Sequence, residues 1–516
     1  MSKIELFDYQ KKFVNDIRNA LTKFPHVMAT MPCGGGKSFC IADIASQAVA
    51  KKSKVLVLSH RLVLLRQNNE SLEEYGLQDM IVLNDERDAD LDQLLYCSSL
   101  QTLQSRMKTQ EYCDFVSSLD LILIDEAHLS FCNYLFESGL VDNTRMVGFS
   151  GSPRRSGNQR QLLLDWDVIV PSISVKELIA KGRLVPCRYF VVPDDVSGIK
   201  VDNSTGDFQT KSNYEHFNSP ERYEGVISQY KKHGENRQFL CFCTSIAHVI
   251  RTTVEFNKAG IKTFYTISTI NKPKEPEKKE GIGWERYLDY KETYDLHQKY
   301  KQYSINQSDV KKALENGVAQ GVICISILSI GFDYKPLGCV IINRASQSLP
   351  LMIQIYARGV RASKGKKDCI ILDMGTNVQR LGRSEDDFEW ELAHEQSDTV
   401  GVPSMKECDP KSKDSKGKYG CGRLVLASAD ICKCGHRFSG HKLEKRAELI
   451  EIVENDADSF DEMTVEGLKA HAKLSGFKQA WVWRTLFRRG EAEFKQEMLR
   501  MGYKYPFIYR LIRQYK

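Results

Sequence analysis

The chain has no apolar run long enough to cross a bilayer, and its first residues, MSKIELFDYQ, show no signal-peptide pattern. Its net charge of +6 is small for 516 residues, so overall charge predicts little about nucleic-acid partners. Fifteen cysteines are present, but they are scattered and most lie inside apolar runs, which indicates reduced thiols rather than a disulfide framework. We therefore expect a cytoplasmic protein without a membrane partner.

The overall composition is typical of a globular protein. Hydrophobic residues make up 42% of the chain and charged residues 27%. The length predicts roughly three or four domains.

A glycine-rich stretch near the N-terminus has the residues that bind phosphate. Residues 31–38 read MPCGGGKS. Its glycines are Gly34, Gly35 and Gly36, which let backbone N–H groups turn towards an anion. Lys37 can reach the β- and γ-phosphates of ATP, and the Ser38 hydroxyl can ligate Mg²⁺. The flanking patterns predict a strand ending at Thr30 and a helix over residues 39–50, whose N-terminus faces the phosphate. The alternative is a glycine-rich turn that binds no nucleotide.

A second motif supplies the carboxylates that such a site needs. Residues 121–124 form an aliphatic run that predicts a buried parallel strand, and residues 125–128 read DEAH. At the end of that strand, Asp125 is suited to hold Mg²⁺ and Glu126 to polarise the attacking water. A phosphate loop followed after about 90 residues by a strand and DEAH resembles superfamily 2 helicases, the DEAD/DEAH-type motor proteins.

The resemblance extends to other motifs of the first domain. Residues 6–10 resemble the adenine-reading segment, which implies that Gln10 bonds the base. Phe7 stands where the family often has a basic residue, so stacking on adenine and a place in the core are both open. Residues 148–153, GFSGSP, resemble the segment that couples hydrolysis to movement. The implied coupling residues are His128, Ser150 and Ser152.

Two further segments, 55–61 and 99–103, resemble family loops that contact a nucleic-acid strand. The residues implied in this contact are Arg61, Gln67, Gln101 and Thr102. For Arg61 and Gln67 the alternative is an ordinary solvated helix start.

The second half of the chain resembles the family's second RecA-like domain. Residues 177–186 resemble the crossover between the domains, and strands are predicted over Gln238–Thr244 and Gly321–Ile327. After the second strand, the resemblance implies a turn at Gly331 and an Asp333 that faces the ribose or bridges the domains.

The pattern Gln354-x-x-x-Arg358-x-x-Arg361 has the spacing that brings three polar residues near one helical face. In the family, the two arginines reach across the cleft to the γ-phosphate. The alternative is an amphipathic helix with surface arginines. The resemblance implies that ATP closes the two domains and that hydrolysis loosens them.

Residues 268–308 are longer than the family's usual connection. They mix lysines and tyrosines with interleaved acids. A solvated insertion with one helix is one interpretation, and a DNA-contacting hook is the other.

The C-terminal region has two features of its own. Cys408, Cys421, Cys432 and Cys434 cluster in a polar stretch, which predicts a structural Zn²⁺ site similar to the ribbon of some phage and bacterial helicases. The Cys432-x-Cys434 spacing departs from the usual Cys-x-x-Cys pairs. From Gly476 onward, basic residues outnumber acids ten to three. Nucleic-acid contact is predicted there for Trp481, Arg488 and Arg489, with a helical subdomain as the alternative.

The sequence therefore predicts an α/β fold with two tandem RecA-like parallel-sheet domains, residues 1–185 and 186–400. A zinc-binding module over 401–440 and a basic, aromatic helical region over 441–516 follow. The predicted function is that of an ATP- and Mg²⁺-dependent DNA helicase or translocase acting on single-stranded, forked or branched DNA, closest to phage-encoded enzymes in the host cytoplasm. An RNA-acting helicase, a motor subunit of a restriction or repair complex, and a non-catalytic nucleic-acid-binding regulator remain alternatives. No nuclease signature is present.

Overall fold

The computed structural model describes residues 5–388 apart from 61, 78–79, 84–89, 130–131, 156–161, 193, 269–272, 274, 276–283 and 330–331. Beyond these it describes 390, 392, 405–407, 413, 417, 419, 424–426, 450–452, 483, 486–487, 490–500, 508 and 512. Among the helices of these residues, none combines the length and the apolar character that a bilayer span requires.

The first part of the described chain builds one parallel sheet between helices. Its strands are β1 (His26–Thr30), β2 (Val55–Ser59), β3 (Ile81–Leu83), β4 (Leu95–Ser99), β5 (Leu121–Asp125), β6 (Arg145–Ser150) and β7 (Val168–Pro171). Its helices are α1 (Asp8–Leu21), α2 (Lys37–Val49), α3 (Leu62–Glu74), α4 (Leu100–Arg106), α5 (Gln110–Ser117), α6 (Asn133–Glu137) and α7 (Val175–Ala180). The strand order is β3-β4-β2-β5-β6-β1-β7.

The following part builds a second sheet of the same kind. Its segments of strand are β8 (Cys187–Val191), β9 (Val201–Asp202), β10 (Asp207–Phe208), β11 (Phe239–Phe242), β12 (Thr263–Tyr265), β13 (Gly321–Cys324), β14 (Cys339–Ile342) and β15 (Cys369–Asp373). The helices are α8 (Thr210–Phe217), α9 (Pro220–His233), α10 (Ile246–Lys258), α11 (Trp284–Lys299), α12 (Val310–Glu315), α13 (Leu349–Gly359) and α14 (Asn377–Leu381). The remaining elements are β16 (Met405–Glu407), β17 (Leu424–Leu426), β18 (Ile450–Ile452) and α15 (Glu491–Arg500).

Strand order in the second sheet is β12-β13-β11-β14-β15-β8-β18. Its pairs are parallel except the edge pair of β18 with β8, and β9–β10 and β16–β17 form separate antiparallel pairs. The predicted α/β class with two parallel sheets is thus confirmed. The helical region predicted over 441–516 is wrong at Ile450–Ile452, where two β-branched residues flank Glu451 and extend the sheet instead.

Both faces of each sheet are covered, which explains why its strands read as aliphatic runs. In β5, Leu121 and Leu123 pack on one side of the first sheet, whereas Ile122 and Ile124 pack on the other. The same alternation separates Phe239 and Cys241 of β11 from its other two residues in the second sheet. Within the insertion, the described residues include helix α11, which packs on α10.

Candidate active site

Three neighbouring strands deliver the predicted motifs to one edge of the first sheet. Strands β5, β6 and β1 are adjacent, and their parallel registers align Asp125 with Phe149 and Ser150 with Thr30. The phosphate loop (31–38), the DEAH turn (125–128) and the hydroxyl-rich segment (148–153) each lie at the carboxyl end of one of these strands. Their side chains therefore meet at the carboxyl edge of the sheet, where open α/β sheets bind ligands.

The phosphate loop has the backbone shape that an anion cradle requires. Gly34 and Gly36 have φ angles of 88° and 90°, in the left-handed region that favours glycine. Gly36 also caps the N-terminus of α2, so free N–H groups and the helix dipole point out of the loop. A Cβ on Gly36 would lie 2.2 Å from Nε2 of Gln10. The loop thus fits the phosphates of a nucleotide.

Gln10 braces the loop in this structure. Its Nε2 donates to the carbonyl of Gly35 at 3.0 Å, and its Oε1 accepts from the backbone N–H of Phe7 at 2.9 Å. The Tyr9 hydroxyl donates to the same carbonyl at 3.0 Å. Gln10 is only 3% exposed, and both the oxygen and the nitrogen of its amide are hydrogen-bonded to the backbone. Its contact with a base remains a prediction.

Phe7 lies at the surface and not in the core, with 42% of its area exposed. The guanidinium of Arg183, on the crossover to the second domain, lies 3.7 Å from the centre of its ring. Tyr9 stacks on the ring at 5.9 Å. An adenine base bound beside Phe7 would contact the stacked rings of Phe7 and Tyr9, with the Arg183 cation against the Phe7 ring.

Lys37 is a buried cation that faces the DEAH carboxylates. Its Nζ lies 3.9 Å from Oε1 of Glu126. Burial alone would lower the pKa of Lys37, but the adjacent Cys33, Glu126 and Asp125 outweigh burial and raise it. The ammonium is therefore charged at neutral pH.

Asp125 is the buried carboxylate at the end of β5. Burial, followed by the charge of Glu126, raises its pKa above the usual range. Asn68 on α3 donates to Asp125 Oδ2 at 3.4 Å and to the Ser59 hydroxyl at 2.9 Å. Asp125 and Ser38 are the residues that would hold Mg²⁺. The ion would supply positive charge that offsets the negative charge of the bound phosphates.

Glu126 has a strained backbone. Its φ of 53° is left-handed, a conformation that costs a non-glycine residue on the order of 1–3 kcal/mol. The N–H of Glu126 donates to Oδ1 of Asp125 at 3.0 Å, and the N–H of Ala127 donates to Phe149 O at 3.0 Å. The turn is thus held in a conformation that aims the Glu126 carboxylate at Lys37.

The predicted coupling residues are in contact. The Ser150 hydroxyl and Nδ1 of His128 are hydrogen-bonded at 2.8 Å, and the N–H of Ser152 donates to the same hydroxyl at 3.0 Å. Burial lowers the pKa of His128 to about 4, so the imidazole is neutral at pH 7. The hydroxyl-rich segment therefore touches the DEAH turn through its histidine.

Arg358 of α13 faces the first domain. It is 6% exposed, and its Nη1 donates to the carbonyl of Phe332 at 2.6 Å. Burial first, and then the charge of Arg361, lower its pKa to about 10, while Cys33 and Glu126 of the first domain act in the opposite direction. Arg358 thus keeps its charge at neutral pH and lies within electrostatic reach of the phosphate loop.

Arg361, the second arginine predicted to reach the γ-phosphate, is arranged differently from Arg358. Helix α13 ends at Gly359, so Arg361 lies beyond the helix, and the predicted single helical face is wrong for this residue. Arg361 forms an ion pair with Asp333 and a backbone bridge with Leu184 of the crossover. Gln354 is buried at 6% exposure. Asp333 therefore forms an ion pair with Arg361, while its contact with ribose remains a prediction.

A cavity of about 300 Å³ separates the two domains beside the phosphate loop. Cys33 and Gly151 line it from the first domain, and Ile353, Ala357 and Val360 line it from α13 and its end. The phosphate loop and helix α13 thus both border this cavity.

Other predicted site residues are less informative. Gln101 is exposed and bonds His60 at 3.0 Å, and the N–H of Thr102 donates to the Ser99 hydroxyl at the start of α4. Gln67 lies on α3, but its side chain is outside the described residues. Also outside them are Arg61, Gly331, Cys408, Cys421, Cys432, Cys434, Trp481, Arg488 and Arg489. Across the described part of the chain, no group of three or more His, Cys, Asp or Glu side chains has the arrangement of a metal site.

Sequence motifs missed two residues that hold the site. Asn68 supports Asp125, and Arg155 donates to the carbonyls of His128 and Leu129 at 2.7 and 3.2 Å. Arg155 lies two positions after residues 148–153, and a basic residue so close to a buried motif was the signal in the sequence that could have identified it.

Residues 3–155 match the family described as type III restriction enzyme, res subunit. A 51.5 kDa protein of a Lactococcus phage (isolate 7-9) is 24% identical over 441 residues, which cover 83% of this chain and 82% of that protein. The candidate ATP-dependent helicase IRC3 of Saccharomyces cerevisiae is 25% identical over 392 residues, 71% of this chain.

The chain spans about half, 51%, of the length of the yeast protein. Among solved structures, the fragment of a candidate HsdR subunit of a type I restriction enzyme from Vibrio vulnificus YJ016 has the same fold. Its TM-score is 0.50 at 16% identity, over 73% of this chain and 65% of that one. Residues 3–155 are therefore similar to the res subunits of type III restriction enzymes, and the chain as a whole resembles proteins named as helicases.

Proposed function

We propose that the protein is an ATP-dependent DNA helicase or translocase that separates or remodels the strands of forked and branched DNA. One observation carries the proposal: the buried Arg358 of the second domain lies near enough to Lys37 and Glu126 of the first domain for their charges to interact. A site that is divided between two domains couples its chemistry to their relative movement.

The residues have distinct roles in this mechanism. The N–H groups of the phosphate loop and the Lys37 ammonium bind the phosphates, and Glu126 orients the attacking water and takes its proton. Arg358 stabilises the charge that develops on the γ-phosphate. Because ATP contacts both domains, it favours the closed state, and product release favours the open one. Loops on both domains then alternate their grip on a nucleic-acid strand.

The nucleic-acid contacts in this proposal come from Arg61, Gln67, Gln101 and Thr102, with Trp481, Arg488 and Arg489 in the C-terminal region. Replication, recombination and repair all use such motors, and a phage enzyme of this kind works in the host cytoplasm. The phosphate-contacting motor does not distinguish DNA from RNA, so an RNA substrate stays open.

A second candidate function is the motor of a restriction complex. The description of the matching family, a restriction enzyme subunit, favours it. A non-catalytic binder is disfavoured, because Lys37, Asp125, Glu126 and Arg358 are present together and a binder needs none of their chemistry.

The rate of ATP hydrolysis on a panel of nucleic acids tests the proposal. The panel contains no nucleic acid, single-stranded DNA, duplex, forked and four-way DNA, and single-stranded RNA. We expect forked or four-way DNA to raise kcat about tenfold over the unstimulated rate, because binding energy drives closure. Highest stimulation by plain duplex without strand separation favours the restriction motor. Highest stimulation by RNA contradicts a DNA substrate.

We also propose one structural zinc ion held by Cys408, Cys421, Cys432 and Cys434, since four thiolates in a polar segment have the donor chemistry of such sites. Elemental analysis of the purified protein is expected to find about one zinc per chain. Replacing Cys432 and Cys434 together by Ser should remove it. Cys113→Ser, at a half-buried cysteine of the first domain, is the control that should retain the metal. A folded, zinc-free wild-type protein would contradict the site.

A further inference from the structure

Arg155 is a buried cation that the recognised motifs do not include. Its side chain and that of Asp165 are both 0% exposed, and Nη1 of Arg155 lies 3.3 Å from Oδ2 of Asp165. Apolar residues of similar size often stabilise such a position at least as well as a buried ion pair. Stability alone therefore gives little reason for a guanidinium at this position.

The guanidinium holds two consecutive carbonyls of the DEAH turn. Nε donates to the carbonyl of His128 at 2.7 Å and Nη2 to that of Leu129 at 3.2 Å. This use depends on the planar, forked shape of arginine. The turn begins with the strained, left-handed Glu126, and such a backbone persists only where its surroundings hold it. Arg155 supplies two of the holding contacts.

The loop of residues 150–155, which contains Arg155, makes a second contact with His128. Ser150 bonds the His128 side chain at 2.8 Å, and the N–H of Ser152 donates to the Ser150 hydroxyl. Residues 150–155 thus bind both the side chain and the carbonyl of His128. Between these two contacts lies Gly151, which lines the cavity that separates the domains. The loop that holds His128 therefore borders the cavity between the domains.

We infer that Arg155 is a positioning residue that transmits domain closure from the loop 150–155 to Glu126. It acts through the backbone of His128 and not by contact with nucleotide. This inference rests on the proposed function, because it concerns how that ATPase is coupled to movement. Its consequence is that the orientation of Glu126, and so kcat, depends on the fork of Arg155.

Two variants separate this role from a structural one. Arg155→Lys keeps a cation opposite Asp165 but cannot hold both carbonyls with one fork, whereas Asp165→Asn keeps the fork and removes the opposing charge. Asp165→Asn leaves the Arg155 charge without its buried partner, so it should lower Tm at least as much as Arg155→Lys does. With forked DNA present, we expect Arg155→Lys to lower kcat about tenfold with KM for ATP changed less than about threefold, and Asp165→Asn to keep kcat within about threefold.

The outcomes are distinguishable. A kcat that falls in Arg155→Lys but not in Asp165→Asn supports the inference. A kcat that falls equally in both variants, or stays at the wild-type value in Arg155→Lys, overturns it while the wild type still hydrolyses ATP. A wild type that hydrolyses no ATP overturns the proposed function, and this inference with it.

Discussion

Lys37→Ala is expected to lower the rate of ATP hydrolysis by a factor on the order of 10³, the effect of removing a strong charge-stabilising donor from a preorganised site. The Lys37 ammonium is the buried cation nearest Glu126, at 3.9 Å, and its raised pKa keeps it charged throughout the physiological range. Without it, the developing negative charge on the phosphates loses its partner on the first domain. Initial rates at saturating ATP measure the effect.

The matched control is Lys51→Ala. Lys51 is exposed and lies just beyond the C-terminus of α2, at the opposite end of the helix that Lys37 begins. The Lys51→Ala protein should hydrolyse ATP at the wild-type rate. Nucleic-acid binding should be measurable in both the Lys37→Ala and the Lys51→Ala proteins. Turnover by Lys37→Ala close to that of Lys51→Ala would refute the nucleotide site.

Arg358→Ala is expected to lower hydrolysis by about 10³–10⁵-fold, the range for arginine fingers. Arg358 is a buried second-domain cation whose charge interacts with that of Glu126, so its removal should leave the γ-phosphate without charge stabilisation from the second domain. ATP binding should fall much less than kcat, because the phosphate loop remains intact. Single-turnover hydrolysis and binding of a fluorescent ATP analogue separate the two effects.

Two further variants make this result specific. Arg358→Lys keeps the charge but not the fork, and we expect it to recover only part of the rate. Arg145→Ala removes an exposed arginine at the start of β6, the edge of the sheet remote from the nucleotide, and should leave hydrolysis unchanged. An Arg358→Ala protein with the wild-type kcat and Tm would contradict the role of this residue across the cleft.

Local patterns predicted the scaffold of the site well, because parallel strands buried on both faces read as aliphatic runs. The run before Asp125 is strand β5, and the glycine-rich stretch does lead into helix α2. The strands predicted over Gln238–Thr244 and Gly321–Ile327 are shorter in the structure, Phe239–Phe242 and Gly321–Cys324. Strand ends depend on the partner strand, which a single segment does not reveal.

The contacts between motifs were harder to predict, since they depend on the packing of distant segments. Spacing put Arg361 on the helical face of Arg358, but the helix stops at Gly359, where a Cβ would lie 2.3 Å from the Cys369 sulfur. The hydrogen bond from Gln10 to the phosphate loop was not predicted, and the contact of Gln10 with a base stays a prediction. Arg155 became visible only through its carbonyl partners, 26 and 27 positions away in the sequence.

The strand Ile450–Ile452 changes how shortened versions of this protein should be designed. It pairs antiparallel with β8 and forms one edge of the second sheet. A protein cut after residue 440 would expose the backbone N–H and C=O groups of β8, and bare strand edges of this kind recruit other chains. A loss of DNA affinity in such a protein would then have two causes that the experiment could not separate, namely self-association through β8 and the removal of basic residues. A cut after residue 452 removes the basic C-terminal region while the sheet edge stays covered.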